Sequence, residues 1–190
     1  PDSIGHSIDP LEGVVKRWKK NLGGVLAGMA GLWYNETQRN GEGTGMQVNF
    51  YEQVDDKRLR FAVIVARHRG QWVFCKHRER DTYELPGGHR EPGESILEAA
   101  RRELQEETGA AAFSIHPVCV YSVIGKNRVN ESGEECFGML YAAEIETFQG
   151  ELHSEMERVL LLDQLPTRWT YPEIQPRLVE EYRRREEKDG

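Results

Sequence analysis

Three glutamates on the protein-facing side of one helix constrain this chain more than any other feature. The segment from Leu85 to Ala110 reads LPGGHREPGESILEAARRELQEETGA. Ser95 followed by Glu98 has the spacing of a capping box, and Gly109 stands where a left-handed cap would end a helix. At about 100° per residue, Ile96, Ala99, Ala100 and Leu104 all fall within about 100° of Glu103, and Glu107 falls about 40° from it. Glu106 lies on the border of that arc, while Glu98, Arg101, Arg102 and Gln105 point elsewhere. A solvated charge run would not share its arc with the apolar residues.

Carboxylates crowded on such a face repel one another, and desolvation adds to the cost unless a cation compensates. Ligands that are all oxygen suit a hard divalent ion, Mg²⁺ first, with Mn²⁺ able to substitute. The other reading of the same pattern is an acidic helix paired with Lys or Arg from a strand. Upstream, Gly87-Gly88 is a permissive backbone that lets a carbonyl or a phosphate come close.

Gly88, five residues, Glu94, seven residues, then Arg102-Glu103-Leu104-x-Glu106-Glu107-x-Gly109-Ala110, preceded by Leu85-Pro86-Gly87, resembles a complete Nudix box. The resemblance implies an α/β fold, an α/β/α sandwich around a mixed β-sheet. It also implies Mg²⁺-dependent hydrolysis of a nucleoside triphosphate or another nucleoside-diphosphate-linked substrate. By position, Glu103, Glu106 and Glu107 would be metal-binding carboxylates and Gly87 would lend a backbone carbonyl. Arg102 would orient Glu103, and Glu94 would hold the loop to the helix. Glu106 is the box candidate for the group that takes a proton from water.

Outside the box, Glu155 resembles the acidic residue that often precedes the last strand, and is a further candidate metal ligand; Glu134 and Glu135 compete for that role. Arg78 matches, by its offset from Pro86, a phosphate-contacting position of MutT-like members, or else is an exposed arginine in a charged run. Arg90, after the glycines, has the same two readings. Signatures that mark ADP-ribose, diadenosine polyphosphate and NADH hydrolases are missing at their usual offsets, where Gly125 and Asn127 stand for the first two. The expected activity is therefore MutT-like, with oxidised purine nucleotides as substrates. A Nudix domain kept as a non-catalytic nucleotide-sensing or regulatory module is the alternative from a different class.

Around the helix the apolar period is two. Met46–Gln53, Leu59–His68, Trp72–His77, Phe113–Ile124, Cys136–Ile145 and Arg158–Leu162 read as strands, with a hairpin turn at Arg69-Gly70. A C-terminal helix is expected from Trp169-Thr170-Tyr171-Pro172, with Pro172 in its first turn, to about Glu187.

Residues 1–45 differ in character. They balance five acids against five bases and end in Gly-Glu-Gly-Thr-Gly, so Met46 reads as a native start behind an extension or fusion segment, with a hydrolase domain over 46–190. Leu11, Val15, Trp18, Leu22, Val25, Met29 and Leu32 recur at helical spacing. Lys16, Arg17, Lys19 and Lys20 beside them leave a weak membrane-surface reading against a plain solvated face. A homodimer is compatible with this segment.

The charge of −7 argues against a surface that tracks a long nucleic acid, and leaves a small nucleotide as the expected partner. No run reaches the roughly 18 apolar residues a bilayer span needs, and the expected compartment is the cytoplasm. Cys75, Cys119 and Cys136 read as reduced thiols rather than a disulfide framework.

Overall fold

In a computed structural model of the chain, which describes residues 45–127, 130–149 and 156–189, one long strand organises a seven-stranded sheet. The strands are β1 (Gln47–Tyr51), β2 (Leu59–His68), β3 (Gln71–His77), β4 (Gly87–His89), β5 (Ala110–Ile124), β6 (Cys136–Phe148) and β7 (Met156–Leu162). The helices are α1 (Ile96–Thr108) and α2 (Gln175–Asp189). Strand order is β1-β5-β6-β2-β3-β7, with β4 paired to β2 off that path. β2 and β6 run parallel and the other pairs antiparallel, so the sheet is mixed.

Alternation along β2 sends side chains to both faces. Ala62, Ile64 and Ala66 pack with Ile96, Ala99, Ala100 and Leu104 of α1. Val65 packs on the other face with Trp72 and Phe74 of β3 and Leu178 and Val179 of α2. A sheet apolar on both faces needs a cover on each, and the two helices supply them.

The ends of α1 follow the sequence. Ser95 accepts from the Glu98 backbone N–H, and the Glu98 side chain accepts from Ser95 N–H. Gly109 takes φ 71°, donates its N–H to the Gln105 carbonyl, and hands the chain at once to β5. Arg69 and Gly70 both have positive φ, the geometry of a tight hairpin between β2 and β3.

Besides small shifts at other strand ends, such as those of β1, β6 and β7, three details differ from the sequence expectation. β4 is not among the strands read from the sequence; its Gly87 and Gly88 pair with Val63 and Ala62 of β2. β5 begins at Ala110 rather than Phe113, directly after the helix cap. The C-terminal helix begins at Gln175, because Trp169 bridges to Tyr83 and Thr170 donates to the Tyr83 carbonyl, holding 169–170 extended. Tyr171 then accepts from Ile174 and Gln175 N–H in a turn, and Pro176 rather than Pro172 sits in the first helical turn.

The helical pattern expected between Leu11 and Leu32, and Glu155, lie outside the described residues. Among the described residues no helix is long and apolar enough to cross a membrane. Cys75 and Cys119 are buried free thiols and Cys136 is partly exposed.

Candidate active site

α1 carries the acids, β4 carries the glycines, and one arginine joins them. Arg102 makes five side-chain hydrogen bonds, the number of N–H groups in a guanidinium. Nε and Nη2 grip both Glu94 oxygens at 2.7 and 3.1 Å, and Nη2 also reaches the His89 carbonyl at 3.0 Å. Nη1 holds Glu103 at 2.8 Å and Glu106 at 3.2 Å. The loop and the helix are thus clamped through Glu94, and two of the three box acids have their orientation set by the same group.

Glu103 and Glu107 take the inner positions that the helical period assigns them. A Cβ on Gly88 would overlap the Glu103 carboxylate, so glycine is what lets that acid lie against β4. Burial raises the Glu103 carboxyl, against the pull of Arg102. Glu107 accepts the Gly87 backbone N–H at 2.8 Å. Burial pushes the Glu107 carboxyl up to about 8, with the Gly87 bond working against the rise and Glu103, Glu84 and Glu106 adding to it. Glu106 is the outward acid, its side chain about half exposed.

The donor set fits a hard divalent ion in its chemistry. The acids offer oxygen alone, and two of them sit where their charged form is disfavoured without a cation. Among the described residues no three His, Cys, Asp or Glu side chains form a ready cage; Arg102 is the charge around which Glu103 and Glu106 gather.

A cavity of about 230 Å³ opens beside Gly87, Gly88 and Glu107. Its walls include Phe61 and Val63 of β2, Tyr121 and Val123 of β5, and Ile174, Gln175 and Leu178 at the start of α2. The phosphate-contact candidates separate here. Arg78 is exposed on the turn after β3 and does not line the cavity, whereas Arg80 does. Arg80 pairs at 3.1 Å with Glu84, a buried acid on the same wall. Arg90 is occupied: it pairs with Asp56 at 2.9 Å and donates to the Glu94 carbonyl at 2.6 Å. Phe137 packs in the α1-side core beneath the Arg58 guanidinium and does not line the cavity.

Sequence reasoning missed the Arg80–Glu84 pair and Gln175. Glu84 is brought to the site by its bridge to Cys75. Gln175 is brought there by accepting the Leu85 N–H at 3.0 Å. Glu84 directly precedes the Leu-Pro-Gly that opens the glycine strand, which is the one local signal for it.

Comparison with known proteins places these features in a group. The NUDIX domain family model matches residues 56–182. The chain is 33% identical over 122 residues to the Bacillus subtilis (strain 168) protein named "Putative 8-oxo-dGTP diphosphatase YtkD", covering 64% of this chain and 73% of that one. The crystal structure of a mutant of the Bacillus subtilis pyrophosphohydrolase BsRppH superposes with a TM-score of 0.60 at 26% identity, covering 73% of this chain and 90% of that one. A UDP-X diphosphatase structure superposes with a TM-score of 0.56 at 19% identity over 70% of this chain and 64% of that one, a likeness of fold alone.

Proposed function

Because this chain belongs to the Nudix hydrolase superfamily, we propose that it is a Mg²⁺-dependent pyrophosphohydrolase of nucleoside triphosphates, with oxidised purine nucleotides as its substrate class. Mn²⁺ substitutes for Mg²⁺ in this reading. The observation that carries it is the Arg102 clamp, which holds Glu94, Glu103 and Glu106 in one network beside Glu107 and the cavity. The relative named for 8-oxo-dGTP and the pyrophosphohydrolase structure support the choice of substrate and reaction class.

Glu103, Glu106, Glu107 and the Gly87 carbonyl would hold the ion, with Glu155 as a further ligand. When bound, the ion neutralises phosphate oxygens and makes water a better nucleophile at neutral pH. Glu106, the outward acid with a single 3.2 Å bond from Arg102, accepts the proton of the attacking water. Arg102 keeps Glu103 oriented, and through Glu94 it fixes the loop that carries the glycines. Arg80 on the cavity wall and Arg78 on the adjoining turn supply positive charge for the phosphates, while Arg90 braces the loop against Asp56. The base end of the substrate occupies the apolar part of the cavity.

Water attacks the α-phosphorus, so the products are a nucleoside monophosphate and pyrophosphate. The test is turnover of a nucleotide panel that includes 8-oxo-dGTP, in ¹⁸O-labelled water with Mg²⁺, followed by product mass. Label in the monophosphate is expected. Label in pyrophosphate would move the attack to the β-phosphorus, and orthophosphate as the sole first product from every triphosphate would overturn the reading.

A further inference from the structure

We propose that the Tyr121 hydroxyl reads the polar edge of the substrate's nucleobase. This inference rests on the nucleotide reading above and names a specificity-determining residue for it. Tyr121 is only 5% exposed and its side chain lines the cavity; its hydroxyl bonds no described residue but is not shut off from solvent, so it opens on the cavity. A buried phenol ordinarily finds a partner. The half-buried Tyr51 donates to Glu135 at 2.9 Å, whereas Tyr141, as buried as Tyr121 and likewise without a bond to a described residue, does not line the cavity. An unpaired hydroxyl at a cavity wall is therefore a group held ready for a ligand.

The site is built to keep that hydroxyl in place. Gly138 of β6 lies opposite Tyr121 in the β5–β6 ladder, and a Cβ there would overlap the hydroxyl end of the ring. Glycine thus makes room for the phenol against the sheet. Burial raises the Tyr121 phenol above its ordinary range, which favours the neutral, donating hydroxyl. Val123 beside it and Ile174 and Leu178 of the helix side are apolar surfaces for the faces of a flat ring. Glu107 and Gly87 line the same cavity, so a single ligand can place phosphates at the acids and a heterocycle at Tyr121. The ligand class is a purine or pyrimidine nucleotide that presents a hydrogen-bonding edge to the phenol.

The full chain with Mg²⁺ is titrated calorimetrically with α,β-imido nucleoside triphosphates, 8-oxo-dGTP analogue included, and separately with inorganic tripolyphosphate. Tyr121→Phe removes one oxygen and keeps the ring. It should weaken the best nucleotide about three- to ten-fold, the worth of one neutral hydrogen bond, and leave tripolyphosphate unchanged. Gly138→Ala, which presses on the same ring, should likewise weaken nucleotide and spare tripolyphosphate. Unchanged nucleotide affinity in Tyr121→Phe, or equal weakening of both ligands, overturns the inference and leaves the nucleotide reading standing. A wild-type chain that binds tripolyphosphate but no nucleotide overturns both.

Discussion

The backbone N–H of Gly87 donates to the Glu107 carboxylate at 2.8 Å, tying the glycine strand to the acidic helix. Gly87 can come this close because it lies against β2, where a Cβ would overlap the Ala62 carbonyl oxygen. The bond stabilises the charged form of Glu107, but burial outweighs it and leaves the carboxyl at about 8.

That balance gives stability a pH slope in the ion-free protein. The folded carboxyl keeps its proton up to about 8, whereas the unfolded one loses it near 4.5. Between those values the folded chain binds more protons than the unfolded chain, so this group's contribution to stability is full below the window and is lost as pH rises through it. Urea denaturation in excess chelator should show wild-type stability falling across that window more steeply than Glu107→Gln. Equal slopes would contradict the assignment.

Arg102→Lys keeps the charge but replaces a planar fork of five N–H groups with three on a point charge. The grip on both Glu94 oxygens and on Glu103 cannot be reproduced. Turnover should fall about 10- to 100-fold, as for loss of a partner that orients metal ligands, while the far-ultraviolet spectrum is unchanged. Steady-state kinetics across a Mg²⁺ series measures it; near-normal turnover would remove Arg102 from the positioning role.

We propose that residues 46–190 suffice for activity. The change of composition before Met46 motivates this, and β1 starts at Gln47. A chain beginning at Met46 should stay soluble and retain turnover within about a factor of two. A folded truncation without activity would show that the first 45 residues complete the site or a required dimer.

The acids were legible in the sequence because a helix anchored by Ile96, Ala100 and Leu104 has a fixed period, and the cap signals at Ser95 and Gly109 fixed its phase. That phase puts Glu103 and Glu107 inside, but Glu106, which it sets on the border of the protein-facing arc, is turned outward and about half exposed. β4 was not legible, because three residues with two glycines carry no alternation and owe their pairing to β2. The cavity arginine lies two positions from the one expected, since the path after β3 is set by the Cys75–Glu84 bridge. The start of α2 was misplaced for a similar reason: Tyr83, distant in sequence, holds Trp169 and Thr170 out of the helix. Tyr121 carries no signal of its own in the sequence, because its place at the cavity depends on Gly138, which the β5–β6 register brings opposite.

In the proposed reaction, hydrolysis runs on a divalent ion held by the acids of α1. The most direct test is nucleotide turnover against Mg²⁺ concentration for wild type, Glu106→Gln and Glu107→Gln, with folding checked by circular dichroism. Wild type should show no turnover in chelator and recover with Mg²⁺ or Mn²⁺, and folded Glu107→Gln should lose at least about 100-fold at saturating Mg²⁺. Turnover that persists in chelator, or near-normal turnover in both variants at saturating Mg²⁺, would contradict the proposed reaction.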